Sequence, residues 1–175
     1  MANLEIERKF LVSPSLNLKS LPILQHKRIV QGYIYSDKYT EIRVRSIDTN
    51  NVSKYYYTVK ISGDSSLTRT ENEFEISEEI FTSLIEKIIP ETYLVIKDRY
   101  NIQLHNNLIA ELDYFCEELE GLQMVEVEFP SEIEASNFEK PDWFLEDVTS
   151  DKKYKNKNLA KISTQINKTR KKTLN

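Results

Sequence analysis

Strict two-residue alternation recurs along this 175-residue chain and constrains its fold more than any other feature. Successive side chains of a strand point to opposite faces, so a period of two marks β-structure. Eight segments follow it: Leu4–Val12, Arg28–Tyr35, Glu41–Ser46, Tyr55–Ile61, Arg69–Ile76, Val95–Ile102, Leu108–Phe115 and Met124–Phe129. Their Tyr, Val, Ile and Phe content suits a pleated surface. Helical signals are fewer. Ser77 followed by Glu78 and Glu79 predicts a helix start, with Ile80, Phe81, Leu84, Ile85, Ile88 and Ile89 as its apolar stripe and Pro90 as its end. Ser131 and Glu134 form a capping box for a short second helix. A further helical segment is expected after Asp151, with Leu159, Ile162 and Ile166 on one side.

Seven of the eight strands carry an almost purely ionic face. Glu5, Glu7 and Lys9 share one; Arg43 and Arg45 share another. Lys60 stands against Val59 and Ile61, and Arg69, Glu71, Glu73 and Glu75 fall together. Lys97 with Arg99, Glu111 with Asp113, and Glu126 with Glu128 complete the set. An ordinary solvated face mixes Thr, Ser and Gln with its charges, and an open sheet with such a face is the simplest alternative. Like charges two residues apart repel unless an opposite charge lies between them. Glu71, Glu73 and Glu75 need cations, and Arg43 and Arg45 need anions.

One arrangement meets both needs. It is an α+β fold whose sheet closes into an eight-stranded antiparallel β-barrel, charged faces inward, apolar faces outward and covered by a few helices. So many charges cannot form a dry core. The interior is expected to be a wet tunnel that holds a ligand. Separate carboxylate and basic clusters suit a metal–polyphosphate complex: carboxylates bind Mg²⁺ or Mn²⁺, and Arg and Lys bind phosphate oxygens.

The rare residue types exclude other chemistries. Gly32, Gly63 and Gly121 are too far apart for a glycine-rich phosphate cradle. Cys116 alone makes no disulfide and no cysteine-rich zinc site, and His26 and His105 lack metal-ligand spacing. The first ten residues do not read as a signal peptide, no stretch is long enough to span a membrane, and a cytoplasmic location is expected. Nine Lys and Arg and no acids follow Asp151, leaving 15 basic and 28 acidic residues in the first 151. The acidic body argues against nucleic acid as the main partner.

The ordered motifs resemble the CYTH superfamily, the triphosphate tunnel metalloenzymes. Glu5-Ile-Glu7-Arg-Lys9 is similar to its E-x-E-x-K signature. Gln31-Gly32-Tyr33, Arg43-Val-Arg45, Thr58-Val-Lys60, Arg69-x-Glu71-x-Glu73-x-Glu75, Lys97-Asp-Arg99-Tyr100, Glu111-Leu-Asp113 and Glu126-Val-Glu128 follow in order, then Tyr154-Lys155-Asn156. The resemblance implies a single tunnel domain over residues 1–165, with 166–175 as a basic tail. It implies metal-dependent chemistry on triphosphates, most like the bacterial inorganic triphosphatases. By that resemblance Glu5, Glu7 and Glu128 would hold the principal metal, Mg²⁺ or Mn²⁺. Glu73, Glu75, Asp113 and Glu126 would serve a second metal or orient the attacking water. Lys9, Arg43, Arg45, Lys60, Arg69, Lys97 and Arg99 would bind the phosphate chain, with Lys155 reaching in from a tunnel end. Glu71 and Glu111 would serve as catalytic groups or as partners that hold the arginines. The expected product pair is phosphate and diphosphate, formed by direct attack of water. The alternatives are an adenylyl cyclase of class IV type and a non-catalytic polyphosphate-binding module. The expected partners are a triphosphate or polyphosphate and at most a second copy of the chain, with no membrane.

Overall fold

The computed structural model describes residues 3–62 and 68–161, with side chains over 5–62 and 70–161. The described strands form one antiparallel sheet of nine strands. They are β1 (Asn3–Val12), β2 (Ile23–Ser36), β3 (Thr40–Thr49), β4 (Val52–Ser62), β5 (Thr68–Ile76), β6 (Val95–Gln103), β7 (Ile109–Phe115), β8 (Gln123–Glu128) and β9 (Phe144–Asp147). Their order is β5-β4-β3-β2-β6-β7-β8-β1-β9, with an additional pairing of β5 to β1 over residues 3–6 of β1. All eight expected strands are present. β2 begins five residues earlier than the alternation predicts, at Ile23 rather than Arg28. β9 was not expected: four residues are too short to show a period, and it pairs beside β1 at Phe10 and Val12.

Helix α1 (Glu78–Ile85) starts at Ser77, whose hydroxyl accepts from the Ile80 amide at 3.3 Å. It stops short of Pro90, so Ile88 and Ile89 belong to the connection after it rather than to its stripe. Helix α2 (Glu132–Asn137) is capped by Ser131 as the Ser131–Glu134 pair predicts. A last helix covers 156–161 and carries buried Leu159. Ile162, Ile166 and the basic tail at 166–175 lie outside the described residues.

The two sheet faces separate by chemistry. Ile6, Phe10, Ile102, Leu112, Val125 and Val127 face away from the charged rows and build the main core with Phe129, Ala135 and Phe144. Phe144, from β9, packs on Phe10 with ring centroids 5.0 Å apart, and Trp143 meets Phe144 edge-on at 4.4 Å. A smaller apolar cluster joins Tyr33, Val95, Phe115 and Met124 to Leu159 and Ala160 of the last helix. Tyr33, Phe115 and Met124 continue the face that carries the charges, so that face turns apolar at one end.

Turn chemistry sets the register. Asn50 and Asn51, at φ 51° and 64°, form a two-residue turn between β3 and β4. Asparagine tolerates the left-handed region, and such turns match strand twist. The ladder then runs without a slip from Thr49↔Val52 to Thr40↔Ile61. Gly32 marks a close approach. A Cβ there would lie 2.6 Å from Ile88 Cγ2 and 2.8 Å from Ile85 Cδ1. We expect Gly32→Val to overpack this contact and lower stability by about 2 kcal/mol, read as the shift of a urea unfolding midpoint.

Candidate active site

Strand register brings the ionic faces together. Across β1–β8, Glu7 stands opposite Glu128 and Lys9 opposite Glu126. Across β4–β5, Lys60 faces Glu71 and Thr58 faces Glu73; across β6–β7, Arg99 faces Asp113. Opposite residues in an antiparallel pair share a face, so these rows line one space. It is a cavity of about 530 Å³. β1 contributes Glu5, Glu7 and Lys9 to its wall; β3 and β4 contribute Arg43, Arg45 and Lys60. Glu71 and Glu73 of β5, Lys97 and Arg99 of β6, Glu111 of β7, and Glu126 and Glu128 of β8 also line it. Lys155, from the segment before the last helix, reaches the same wall.

Two expected site residues stand off the cavity wall, and a third lies outside the described side chains. Glu75, opposite Tyr56 on β4, is exposed outside the cavity wall and pairs with Lys54 at 3.1 Å. Asp113 has no exposed surface and lies behind the lining. Its carboxylate accepts from Lys97 Nζ at 2.5 Å and from Arg99 Nε and Nη2 at 2.6 Å each. Nothing is described for the side chain of Arg69, which lies outside the described side chains.

The wall is a network of alternating charge. Lys60 Nζ holds Glu5 at 2.7 Å and Glu71 at 2.6 Å. Arg45 donates to Glu73 at 2.7 Å, and Thr58 Oγ1 donates to the same oxygen at 2.8 Å. Arg43 approaches Glu71 at 3.6 Å. Arg99 also binds Glu111, and it reaches Glu126 at 2.9 Å. Lys9 meets Glu126 at 2.7 Å. Burial opposes the charge of Glu126, but Lys9, Lys97 and Arg99 outweigh it and hold its carboxyl well below the usual range. Lys97 shifts down: burial and the neighbouring Arg99 work against its charge more than Asp113 and Glu126 support it.

Two imbalances remain, and each fits a ligand. Buried Nε atoms of Arg43 and Arg45 have no hydrogen-bond partner among the described residues, and an oxyanion would satisfy them. The second imbalance is acidic. Partial burial, then the carboxylates of Glu5, Glu111 and Glu7, push Glu128 up to about 7. Oxygen-only, carboxylate-rich surroundings of this kind suit a hard divalent cation. Among the described residues no three of these carboxylates already converge on one point.

Family comparison gives the same picture. A family model described as the CYTH domain matches residues 3–164. The chain belongs to the CYTH domain family. An inorganic triphosphatase of Nitrosomonas europaea is 40% identical over 161 residues, covering 89% of this chain and 96% of that protein. One of Acetivibrio thermocellus is 39% identical over 163 residues, covering 90% and 93%. The crystal structure of the inorganic triphosphatase NE1496 superposes with a TM-score of 0.62 at 37% identity, covering 90% of this chain and 94% of that one. No helix among the described residues of this CYTH chain is long and apolar enough to cross a membrane.

The CYTH wall also contains residues that the charged pattern passes over: Lys27, Ile29, Gln31 and Tyr33 of β2, and Glu41 and Ile47 of β3. Their signal was parity. Glu41 alternates with Arg43 and Arg45, and Lys27 with Ile29 and Gln31. Two outcomes follow from the network. Asp113→Ala leaves two buried cations without their shared anion and should cost about 3–5 kcal/mol in urea unfolding, whereas Glu75→Gln should leave the midpoint unchanged. Glu128 binds its proton more tightly folded than unfolded, so its stabilising share is complete below the unfolded carboxyl range and is lost as pH rises through about 7. In chelated buffer the melting temperature should therefore fall between pH 5 and 8 by less in Glu128→Gln than in the unaltered protein.

Proposed function

We propose that this CYTH protein is a divalent-metal-dependent inorganic triphosphatase, hydrolysing tripolyphosphate to phosphate and diphosphate inside a closed eight-stranded tunnel. The observation that carries the reading is the cavity wall itself: a basic row on β3, β4 and β6 faced by a carboxylate cluster on β1 and β8. The β1–β5 pairing supports closure of the ring, since it joins the two strands at opposite ends of the eight-strand order, with β9 outside it. Triphosphatase relatives at about 40% identity over nine-tenths of the chain support the substrate.

Each side chain then has a task. Glu5, Glu7 and Glu128 hold the principal Mg²⁺ or Mn²⁺, which when bound neutralises phosphate charge that would otherwise repel a nucleophile. Lys9, Arg43, Arg45, Lys60, Arg69, Lys97 and Arg99 bind phosphate oxygens, with Lys155 reaching in from a tunnel end. Arg43 and Arg45 are the first to gain, because each has an unused Nε. Lys60, shared between Glu5 and Glu71, links the anion-binding row to the carboxylates. Glu73, held by Arg45 and Thr58, and Glu126, held by Lys9 and Arg99, orient the attacking water or hold a second cation. Asp113 acts from behind: it fixes Lys97 and Arg99 and does not touch substrate. No covalent intermediate is needed, since charge stabilisation and positioning carry most of phosphoryl transfer.

Phosphate release from tripolyphosphate should require added Mg²⁺ or Mn²⁺ and stop with chelator; activity that survives full chelation would remove the metal from the scheme. Glu7→Gln should lower kcat by about 100-fold or more with the melting temperature preserved. Cyclic AMP formed from ATP by the same sample, in place of phosphate from tripolyphosphate, would favour the cyclase alternative.

A further inference from the structure

Lys27 is the cavity-lining cation that the network leaves over. Lys9, Arg43, Arg45, Lys60, Lys97 and Arg99 each contact a carboxylate. Lys27 forms no ion pair and no hydrogen bond among the described residues, although it lines the same wall. Its place in the register is costly. It stands directly opposite Arg99 across β2–β6, and like charges opposite one another destabilise a sheet. Its next neighbour on the same face, Ile29, is apolar and paired with Ile47, so neither offers an anion. Arg99 cannot be moved away, because Asp113, Glu111 and Glu126 hold it on three sides.

Position along β2 gives Lys27 its role. The inward residues run Lys27, Ile29, Gln31, Tyr33, and Tyr33 belongs to the apolar cluster with Leu159 and Ala160. Six residues of strand separate the two ends, about 20 Å. Lys27 thus lies at the end of the wall away from the apolar cluster.

We propose that Lys27 is an additional substrate-binding residue, whose ammonium group takes oxygens of the triphosphate's terminal phosphate at that end of the cavity. The assignment rests on the triphosphatase reading and adds to it a contact from β2, which contributes no other cation to the described wall. A bound phosphate would lie between two like charges and turn their repulsion into shared attraction. It follows that the lysine costs stability in the free protein and gives affinity in the complex.

The test measures tripolyphosphate kinetics, with Mg²⁺, and thermal unfolding on Lys27→Ala, Lys27→Arg and Lys19→Ala. Lys19 is an exposed cation on the turn at Leu18–Ser20 and controls for net charge. In Lys27→Ala, KM should rise about fivefold to tenfold, the worth of one charge-assisted contact at a partly wet site. Its kcat should stay within about twofold of the unaltered protein, and its melting temperature should be equal or higher. Lys27→Arg should recover most of the affinity, and Lys19→Ala should change neither constant. An unchanged KM in Lys27→Ala, or an equal rise in Lys19→Ala, overturns the proposal. If the unaltered protein does not turn over tripolyphosphate, the triphosphatase reading fails on its own. Calorimetric titration with tripolyphosphate then decides Lys27: weaker binding by Lys27→Ala supports it, and equal binding overturns it.

Discussion

Every part of this fold answers to the cost of taking charges out of water. Lys97, Arg99, Asp113 and Glu126 are all buried, and an isolated ion in such a place would cost several kcal/mol. The chain meets that cost by crossing signs between strands rather than within them. Arg43 and Arg45 repeat one sign on β3, and Glu71 and Glu73 of β5 reach them across β4 with the other. Lys60 between Glu5 and Glu71, and Arg99 among Glu111, Asp113 and Glu126, are the points where several strands depend on one side chain. Such a lining is cross-paired without any ligand, which suits a reaction that needs positioned charges.

The outer face makes this possible. Phe10, Ile102, Leu112, Val125 and Val127 supply the apolar burial that a charged interior cannot. α2 and β9 cover them, with the rings of Phe138 and Phe144 packed at a tilt against Phe10. The usual arrangement of a sheet is therefore inverted over much of the molecule: the charged side chains line the cavity, and the apolar ones face away from it.

Much of this was legible in the sequence, because period-two alternation and charge parity are local. The eight longer strands, both capped helices and most of the wall follow from them. The departures have particular causes. β9 is too short to alternate, and its place is decided by Phe144 filling the core beside Phe10. Glu75 continues the parity of Glu71 and Glu73, but parity does not say how far along a strand the cavity extends. Asp113 shares the face of Glu111, yet sits behind two long cations that reach past it. Lys27, Ile29 and Ile47 carried too little charge along their strands to draw notice, although their spacing was as regular as that of the arginines.

The Asn50–Asn51 turn has a consequence for how such a protein can change. From it, β4 is laid against β3 without a slip. Tyr56, Thr58 and Lys60 face the arginine row only because an even count separates them from Val52. One residue added within β4 just after the turn would reverse every side chain beyond it, sending Lys60 outward and Val59 into the charged space. Two added residues would keep the faces but slide Lys60 past Glu41 and Glu71. The turn lies far from the chemistry and touches none of it, yet it serves as the origin from which the cavity's geometry is counted. Variation in length at this hairpin is therefore confined by arithmetic, while the residues of the turn need only keep the left-handed bend.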